Sequence, residues 1–509
     1  MLYTITPAEM KRVENRVMAE TAITGEQLMQ SAAAHIAEAV CRYAQTGRIV
    51  AVCGTGNNGG DGIAALRRLG ENVKRGLSLW LLEGELSPDC TRELSRLKES
   101  CPHAEILILS ADPLACPAFP QDTACVIDAL FGTGLSRDVT GMAATLCQQM
   151  NSLHAAGTPI VAVDIPSGLC GESGRILGIA AEVTETITFH RPKPGLWLGL
   201  GPNHTGRVAV KDIGIPPEWD AVQGLAVLEP SDLPKFLPPR KPVTHKGSYG
   251  RVLAIAGSRG MVGAAALCAT AALRTGAGLV TVDCPENILD TVQHLCPCAT
   301  CLPPNSDPFA AFSQADAIAL GCGLHPADAL KSLRQVLKYT ADKNTPLVID
   351  AEGLNALAKD SEDYEIRLTP AQILTPHPAE AARLLDCSVA EITASPVEAA
   401  KRLQTKYGAS VLLKGAVSVL LSGEQEGLNI LGTPALAKGG SGDVLAGILA
   451  ALLANVQKGS LSLSVFEVMQ VGTALHGLAA KAAAQKFGQR GVLATDICNF
   501  LGQDFSTIG

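Results

Sequence analysis

Short runs of β-branched and aliphatic residues alternate with helical stretches along the whole chain, and this alternation leaves few folds open. The first half offers "RIVAVCG", "LSLWLL", "AEILIL", "ACVIDALFG" and "PIVAVDIPSG". The second offers "GRVLAIAGS", "AGLVTVDCP", "ADAIALGCG", "PLVIDAEGLN", "AQILTPHPAE" and the expected hairpin "SVLLKGAVSVLL". Strands separated by helix-length segments signal a parallel sheet with crossover helices. Several of the runs end in Gly, Asp, Asn, His or Ser, and in open α/β sheets the ligand crevice lies outside the carboxyl ends of the strands. The chemistry is expected there.

At 509 residues the chain is too long for one ordinary domain and suits two. Charged residues make up only 18% and aromatic ones 4%, against 50 glycines, which fits an α/β enzyme rather than a disordered or fibrous chain. A formal charge of −8 without any Lys/Arg block argues against a nucleic-acid partner and for small-molecule ligands. The opening "MLYTITPAEMKRVENRV" interrupts every apolar run with charge, so it is not expected to serve as a signal peptide's hydrophobic region. It reads as a helix start, with Thr6 as N-cap, Pro7 at the first position and Glu9 closing a capping box. No apolar stretch reaches the roughly 18 residues that a membrane span requires. A cytoplasmic location, no membrane partner and a homo-oligomer are expected.

Sixteen cysteines are scattered, with one dense group at His294, Cys296, Cys298 and Cys301. A structural zinc site usually needs a second, well-separated ligand pair, and none is visible, so these are read as reduced thiols. From Ile215 to Val243 the chain carries seven of its thirty prolines, too many for a helix or a central strand. The division is placed there: a domain over 1–220, a connector over 221–244 and a domain over 245–509.

Gly54, Gly56 and Gly59 satisfy G-x-G-x-x-G between a strand and a helix, and Glu83 closes the next strand where a ribose ligand would be expected. Against a dinucleotide site stands Asp61 at the helix entrance, where it would repel a pyrophosphate. A different reading has Asn58, Asp128 and Ser167 converging at strand ends as oxygen donors for a hard cation, leaving Asp164 free as acid or base. The plainer alternative makes Asp61 a first-turn helix acid and Asp128 and Asp164 turn caps. The loop Phe131–Asp138 adds backbone amides and Arg137, suited to phosphate.

In the second half, "ALAKGGSGDVLAGILAALLA" places Asp443 behind Gly439, Gly440, Ser441 and Gly442 at the start of an apolar helix. Glycines there expose N–H groups, and a helix N-terminus stabilises anions, so Gly440, Ser441 and Gly442 form a candidate anion hole. Asp443 is then placed to orient or deprotonate an attacking hydroxyl; the alternative is a simple helix cap. Lys414, Gly415, Ala416, Val417 and Ser418 fit a turn meeting a nucleotide's phosphates. His377, between two prolines, is either substrate-facing or a hydrogen-bonded structural histidine. Asp350 and Asn355 mark another strand end.

These residues carry a resemblance across nearly the whole chain. "GNNGGDG", "DALFGTGL" and "DIPSG" resemble the epimerase domain of the bifunctional NAD(P)H-hydrate repair enzymes, and "HKGSYGRVLAIAGS", "DAEGLNAL", "TPHPAE" and "GGSGDVLAG" resemble the dehydratase domain of the same family. The resemblance implies an N-terminal Rossmann-like three-layer α/β/α sandwich followed by a ribokinase-like α/β domain. It further implies that the first domain interconverts R and S hydrates of NADH and NADPH, and that the second dehydrates the S form at the expense of ADP. Potassium would be held by Asn58, Asp128 and Ser167. The hydrate would meet Asn57, Asn58, Gly59, Gly60 and Asp61, the loop Gly132, Thr133, Gly134, Leu135, Ser136, Arg137 and Asp138, and Asp164. In the second domain Gly323, His377 and Asp443 would meet the hydrate, and Lys414 to Ser418 with Gly442 the nucleotide; a magnesium ion is expected there from phosphoryl transfer in general. This chain departs from the family pattern at "GCGLH", where relatives often have Gly-Pro-Gly-Leu-Gly, at "KGAVS" and at Ser441. Two rivals share parts of the pattern: a ribokinase-type small-molecule kinase fused to a nucleotide-binding module, and a dinucleotide-dependent dehydrogenase resting on Gly54, Gly56 and Gly59 alone.

Overall fold

A computed structural model describes the chain except for residues 73–75, 341–344, 364–365 and 504–509 and the side chains of 72 and 361–363. The chain divides into two compact units, Tyr3–Gly224 and Leu225–Gly509, the latter joined by Met1 and Leu2. Strands are numbered along the chain from β1 at Leu2–Tyr3. Within the expected connector, Ala226–Val227 (β9) pairs into the sheet of the second unit and short helical turns span Pro230–Asp232 and Leu233–Phe236. The Met1 ammonium lies 2.7 Å from Asp232, tying the chain start to this unit.

The first unit is built on seven strands, β2 (Arg48–Cys53), β3 (Leu77–Leu82), β4 (Glu105–Leu109), β5 (Thr123–Ala129), β6 (Ile160–Val163), β7 (Glu185–Phe189) and β8 (Arg207–Lys211). Their order is β4-β3-β2-β5-β6-β7-β8, with every pairing parallel. Side chains alternate across a pleated strand, so one strand feeds two layers. Ile49, Ala51 and Cys53 pack with Ile36, Val40, Ile63 and Leu66 of the helices Gly25–Tyr43 and Asn57–Asn72. Val50 and Val52 face the opposite layer, with Leu146 and Met150 of the helix Gly141–Ala155. This is a three-layer α/β/α sandwich. The helix Pro7–Glu20 opens with Thr6 and Glu9 in the capping-box geometry that the sequence predicts.

The second unit carries β10 (Arg251–Ile255), β11 (Leu279–Asp283), β12 (Thr300–Cys301), β13 (Ala317–Leu320), β14 (Leu347–Ile349), β15 (Gln372–Leu374), β16 (Ser410–Leu413), β17 (Ser418–Ser422) and β18 (Gln425–Asn429). Its order is β1-β9-β18-β17-β16-β15-β14-β13-β10-β11-β12. The strands from β16 through β10 to β12 pair in parallel, while β16, β17 and β18 form an antiparallel meander that includes the expected hairpin. Among the described residues no helix is long and apolar enough to cross a membrane.

The apolar helix Ser441–Gln457 is covered on nearly every side, which explains why it is hydrophobic all round. Its closest neighbour is the alanine-rich helix Val262–Thr275. At their crossing a Cβ on Gly447 would sit 2.2 Å from the Cys268 carbonyl oxygen, so the helices meet backbone to backbone. Alanine is intrinsically the better helix former by about 1 kcal/mol, whereas forcing a methyl into a packed contact costs about 1–3 kcal/mol. The clash should win: Gly447→Ala is expected to lower the denaturant midpoint of the protein. An unchanged or raised midpoint would show that the helices separate without cost.

Candidate active sites

In the first sheet the chain winds outward from β2 to β4 and returns at β5, beside β2. That reversal opens a crevice at the carboxyl ends of β2 and β5. Close backbone approach dictates the glycines there: a Cβ at Gly54 would lie 2.0 Å from the Leu130 oxygen, and one at Gly59 would lie 1.9 Å from the Gly54 oxygen. A Cβ at Gly56 meets nothing within 4 Å. The turn therefore needs the first and last glycines of the G-x-G-x-x-G match and is indifferent to the middle one.

Three of the residues expected to hold a cation gather at this crevice. Asp128, on β5 and fully buried, accepts from the Ser167 hydroxyl at 2.5 Å and from the Ser167 N–H at 2.8 Å. Burial pushes its carboxyl up to about 6 against the Ser167 hydrogen bonds, and among the described residues no cation faces it. Ser167 also receives the Phe131 N–H at 3.0 Å, and the neighbouring Gly132 sits over Asn58, whose Oδ1 a Cβ would meet at 2.8 Å. The buried Asn58 Nδ2 has no hydrogen-bond partner. Beyond Gly132 and Thr133 the loop turns outward: Gly134, Ser136, Arg137 and Asp138 are exposed, while Leu135 anchors in the apolar layer.

Asp61 does not lie at the helix entrance. The helix begins at Asn57 and has no acid in its first turn. Burial raises the Asp61 carboxyl well above its usual range, and the charges of Asp164, Glu14, Asp89 and Glu93 raise it further. Its charged form is therefore disfavoured where it stands.

Asp164 follows β6 with φ of 64°, a left-handed conformation uncommon for a residue with a side chain. Its Oδ1 accepts from Thr188 Oγ1 at 2.9 Å, the Phe189 N–H at 3.3 Å and Lys193 Nζ at 2.5 Å. Lys193 is fully buried. Glu14, raised by burial and then by Asp164, lies within the influence of the same pair. Neither Lys193, Thr188 nor Glu14 is among the residues the sequence singles out. The available signal was a lysine held between Pro192 and Pro194 just after a strand.

The second sheet reverses between β10 and β13. After β13, the Cys322 carbonyl receives the Gly257 N–H at 2.8 Å and the Gly323 carbonyl receives the Ser258 hydroxyl at 2.8 Å, which fixes the "GCG" turn against the turn after β10. Asp350, after β14, is buried and accepts from Lys414 Nζ at 2.7 Å and from Thr375 Oγ1 at 2.8 Å. A second carboxylate, Glu380, lies 3.9 Å from Lys414. A Cβ at Gly442 would touch both Asp350 Oδ2 and Lys414 Nζ at 3.4 Å, so the glycine loop lies directly over this ion pair.

Asp443 stands beside it on the first turn of its helix, behind Gly440 at φ of 92°. Its carboxyl is pushed up to about 6 by burial and by the charge of Asp350, against a hydrogen bond from Cys322 and the charge of Lys414. The expected anion hole is narrower than three amides. The Ser441 N–H reaches the Lys438 carbonyl at 3.4 Å and its hydroxyl is turned inward, 3.2 Å from His476 Nε2. His476 is held neutral by burial, its value lowered to about 4. Among the described residues no protein carbonyl occupies the N–H of Gly440 or Gly442.

His377 caps the helix Pro378–Leu385, its Nδ1 accepting from the Ala379 and Glu380 N–H groups at 3.1 and 3.3 Å. Nε2 therefore carries the ring proton, and the half-exposed ring lies 3.4 Å from Glu380. Lys414 to Ser418 form the turn between β16 and β17, with Gly415 and Ala416 exposed. The one group of three potential metal ligands among the described residues is Cys322, Asp350 and Asp443; the cysteine-rich run His294–Cys301 forms none. Each unit thus combines an ion-paired carboxylate with a neighbouring carboxyl that burial raises above its usual range.

Family models match both units: residues 25–195 fit the YjeF-related protein N-terminus and residues 252–502 fit NAD(P)H-hydrate dehydratase. The second unit is similar to a ribokinase-like superfamily protein of Enterococcus faecalis, with a TM-score of 0.50 and 27% identity, covering 55% of this chain and 95% of that one. The bifunctional NAD(P)H-hydrate repair enzyme of Moorella thermoacetica is 35% identical over 98% of this chain and 96% of its own length. That of Escherichia coli is 36% identical over 91% and 86%. With both units matched in order and relatives of this identity matched over most of their length, the chain belongs to the family of bifunctional NAD(P)H-hydrate repair enzymes.

Proposed function

We propose that the chain repairs hydrated nicotinamide dinucleotides: the N-terminal unit, assigned to 1–220, epimerises the R and S hydrates of NADH and NADPH, and the C-terminal unit, assigned to 245–509, dehydrates the S form while ADP becomes AMP and phosphate. The observation that carries the reading is Asp443 at a glycine-capped helix start, directly beside the Lys414–Asp350 pair.

In the second unit the Gly440 and Gly442 amides and the helix N-terminus receive the transferring phosphoryl group, and Lys414 with the turn to Ser418 holds the nucleotide. Asp443 accepts the proton of the hydrate's C6 hydroxyl as that oxygen attacks the terminal phosphorus of ADP, which leaves as AMP. The phosphorylated C6–O bond then breaks, the ring nitrogen's lone pair expelling phosphate, and loss of a proton from the adjacent carbon restores the double bond. His377 and Gly323 face the hydrate. Magnesium, expected with ADP, would neutralise charge on the phosphoryl group when bound.

In the first unit Asp164 exchanges a proton with the hydrate, which rests on Asn57 to Asp61 and the loop Gly132 to Asp138. A potassium ion fits Asn58, Asp128 and Ser167 on two grounds. Asp128 is a buried carboxylate with no cation facing it, and Asn58 has a buried amide end without a partner. Amide oxygen and nitrogen are assigned from their surroundings, so the Asn58 group, turned end for end, offers its oxygen to an ion.

Recovery of NADH absorbance from a mixture of both hydrates tests the whole reading: full recovery with ADP is expected, whereas a persistent phosphorylated product would establish a kinase instead. Asp443→Asn should abolish dehydration, a loss of at least about a hundredfold, and leave R-to-S interconversion intact; loss of both activities in a folded variant would show that the sites are not independent. Because Asp443 must be ionised to accept a proton and its carboxyl titrates at about 6, dehydration should fall as pH drops through 6, reaching roughly a tenth of its plateau near pH 5. A rate flat to pH 5 would remove Asp443 as the base. Asp128→Asn should weaken the potassium dependence of epimerisation by about tenfold or more, and a wild-type potassium titration in that variant would place the ion elsewhere.

A further inference from the structure

We propose that Lys193 is a positioning residue of the epimerase reaction: buried against Asp164, it locks one carboxylate oxygen and leaves the other turned toward the substrate as the atom that takes and returns the proton. The proposal rests on the epimerase reading of the N-terminal unit.

A lysine with no exposed side-chain surface is rare, because its ammonium needs three acceptors and a counter-charge to replace water. Lys193 has them all: Asp164 Oδ1 at 2.5 Å, the Phe189 carbonyl at 3.2 Å and Thr188 Oγ1 at 3.3 Å. It has no capacity left for a ligand, so its effect on the reaction passes through Asp164. The backbone is fixed on either side by Pro192 and Pro194.

Asp164 is clamped asymmetrically. Oδ1 takes three donors, from Lys193, Thr188 and the Phe189 N–H. Among the described residues no donor reaches Oδ2, and the side chain keeps 14% of its surface exposed. The left-handed backbone at φ of 64° is a strained setting that the surrounding bonds must maintain, and such settings cluster where a side chain has to be aimed.

The charges around the pair come from every side. Glu14 of the helix Pro7–Glu20 and Asp61 of the helix Asn57–Asn72 are both raised by burial and by the Asp164 charge. Asp89 and Glu93 act on Asp61 from the helix Pro88–Ser100. On the far side His190 pairs with Asp220 at 2.7 Å, and Arg191 also meets Asp220. Against these carboxyls Lys193 is the cation in direct contact with Asp164. Without it, Asp164 would stand among carboxyls with no cation in contact and would lose its fixed orientation. With it, Asp164 is held in place to serve as the base.

The test follows R-to-S interconversion of NADH hydrate by chromatography, without ADP, from pH 5 to 9 in the full-length protein. Lys193→Met is expected to lower kcat at pH 7 by at least about tenfold, with KM changed less than about threefold and the acidic limb of the profile moved to higher pH by about a unit or more. The sign follows from removing a cation in direct contact with a carboxylate. ADP-dependent dehydration of the S hydrate should be unchanged. Thr188→Val removes one donor to Oδ1 without removing a buried charge, and it should move the same limb in the same direction by less; it decides the matter if the lysine variant does not fold. A rate loss with an unmoved pH profile in both variants would reduce Lys193 to a structural role and overturn the proposal. If the wild-type protein itself leaves R hydrate unconverted, the epimerase reading falls and this proposal with it.

Discussion

A carboxylate at the end of an apolar parallel strand must be neutralised, protonated or matched by a cation, and both units are organised around that constraint. β5, β6 and β14 each deliver an aspartate into a buried crevice: Asp128, Asp164 and Asp350. The three are treated differently. Asp164 and Asp350 receive a lysine in direct contact, Lys193 and Lys414. Asp128 receives only a serine hydroxyl and two backbone N–H groups, which do not offset full burial. An uncompensated buried charge is far costlier than a paired one, and of the three aspartates Asp128 is the one without a lysine in contact.

The glycine turns serve this arrangement by bringing backbone close rather than by lending flexibility. Gly54 and Gly59 let the turn after β2 fold onto the turn after β5, which sets Asn58 under Gly132. Gly442 lets the start of the apolar helix descend to van der Waals distance from Asp350 and Lys414. The two loops look alike in sequence and end in an acid, yet they place that acid differently. Asp443 sits on the first turn, where free N–H groups surround it, and Asp61 lies further along its helix under a group of other carboxyls.

The architecture was legible because parallel strands are long in apolar residues, and every strand quoted from the sequence is present. Among the strands not read, two have a broken apolar pattern. β7, "ETITF", carries three polar residues and is buried throughout, because Glu185 pairs with Arg42 and Arg207 and Thr186 donates to the Thr205 carbonyl. β18 contains a glutamine, a glutamate and a glycine and forms the outer strand of the meander. The sites were legible where a motif sits at a strand end in the sequence itself. What sequence order hides is which side chains from remote segments meet: Lys193 reaches Asp164 across 29 positions and Lys414 reaches Asp350 across 64. Asp61 was misplaced because the helix start was read from the glycines, whereas the first turn begins at Asn57.

The departure at "GCGLH" shows how one local change acts on the chemistry. Cys322 is buried between Cys268, Asp350 and Asp443, and its thiol donates toward Asp443. A proline at that position has no such donor, so in a chain carrying Pro the Asp443 carboxyl would depend on Lys414 and the helix N-terminus alone for its ionised form. Cys322 therefore opposes what burial and Asp350 do to Asp443, pulling its titration down toward the point where it is ionised at neutral pH. Its own thiol is held protonated by Cys268, by burial and by the same two aspartates, so the donor does not compete for the charge it stabilises. The cost of placing two aspartates together is in this way divided among a lysine, a helix end and a thiol, and the Asp443 carboxyl rises no further than about 6.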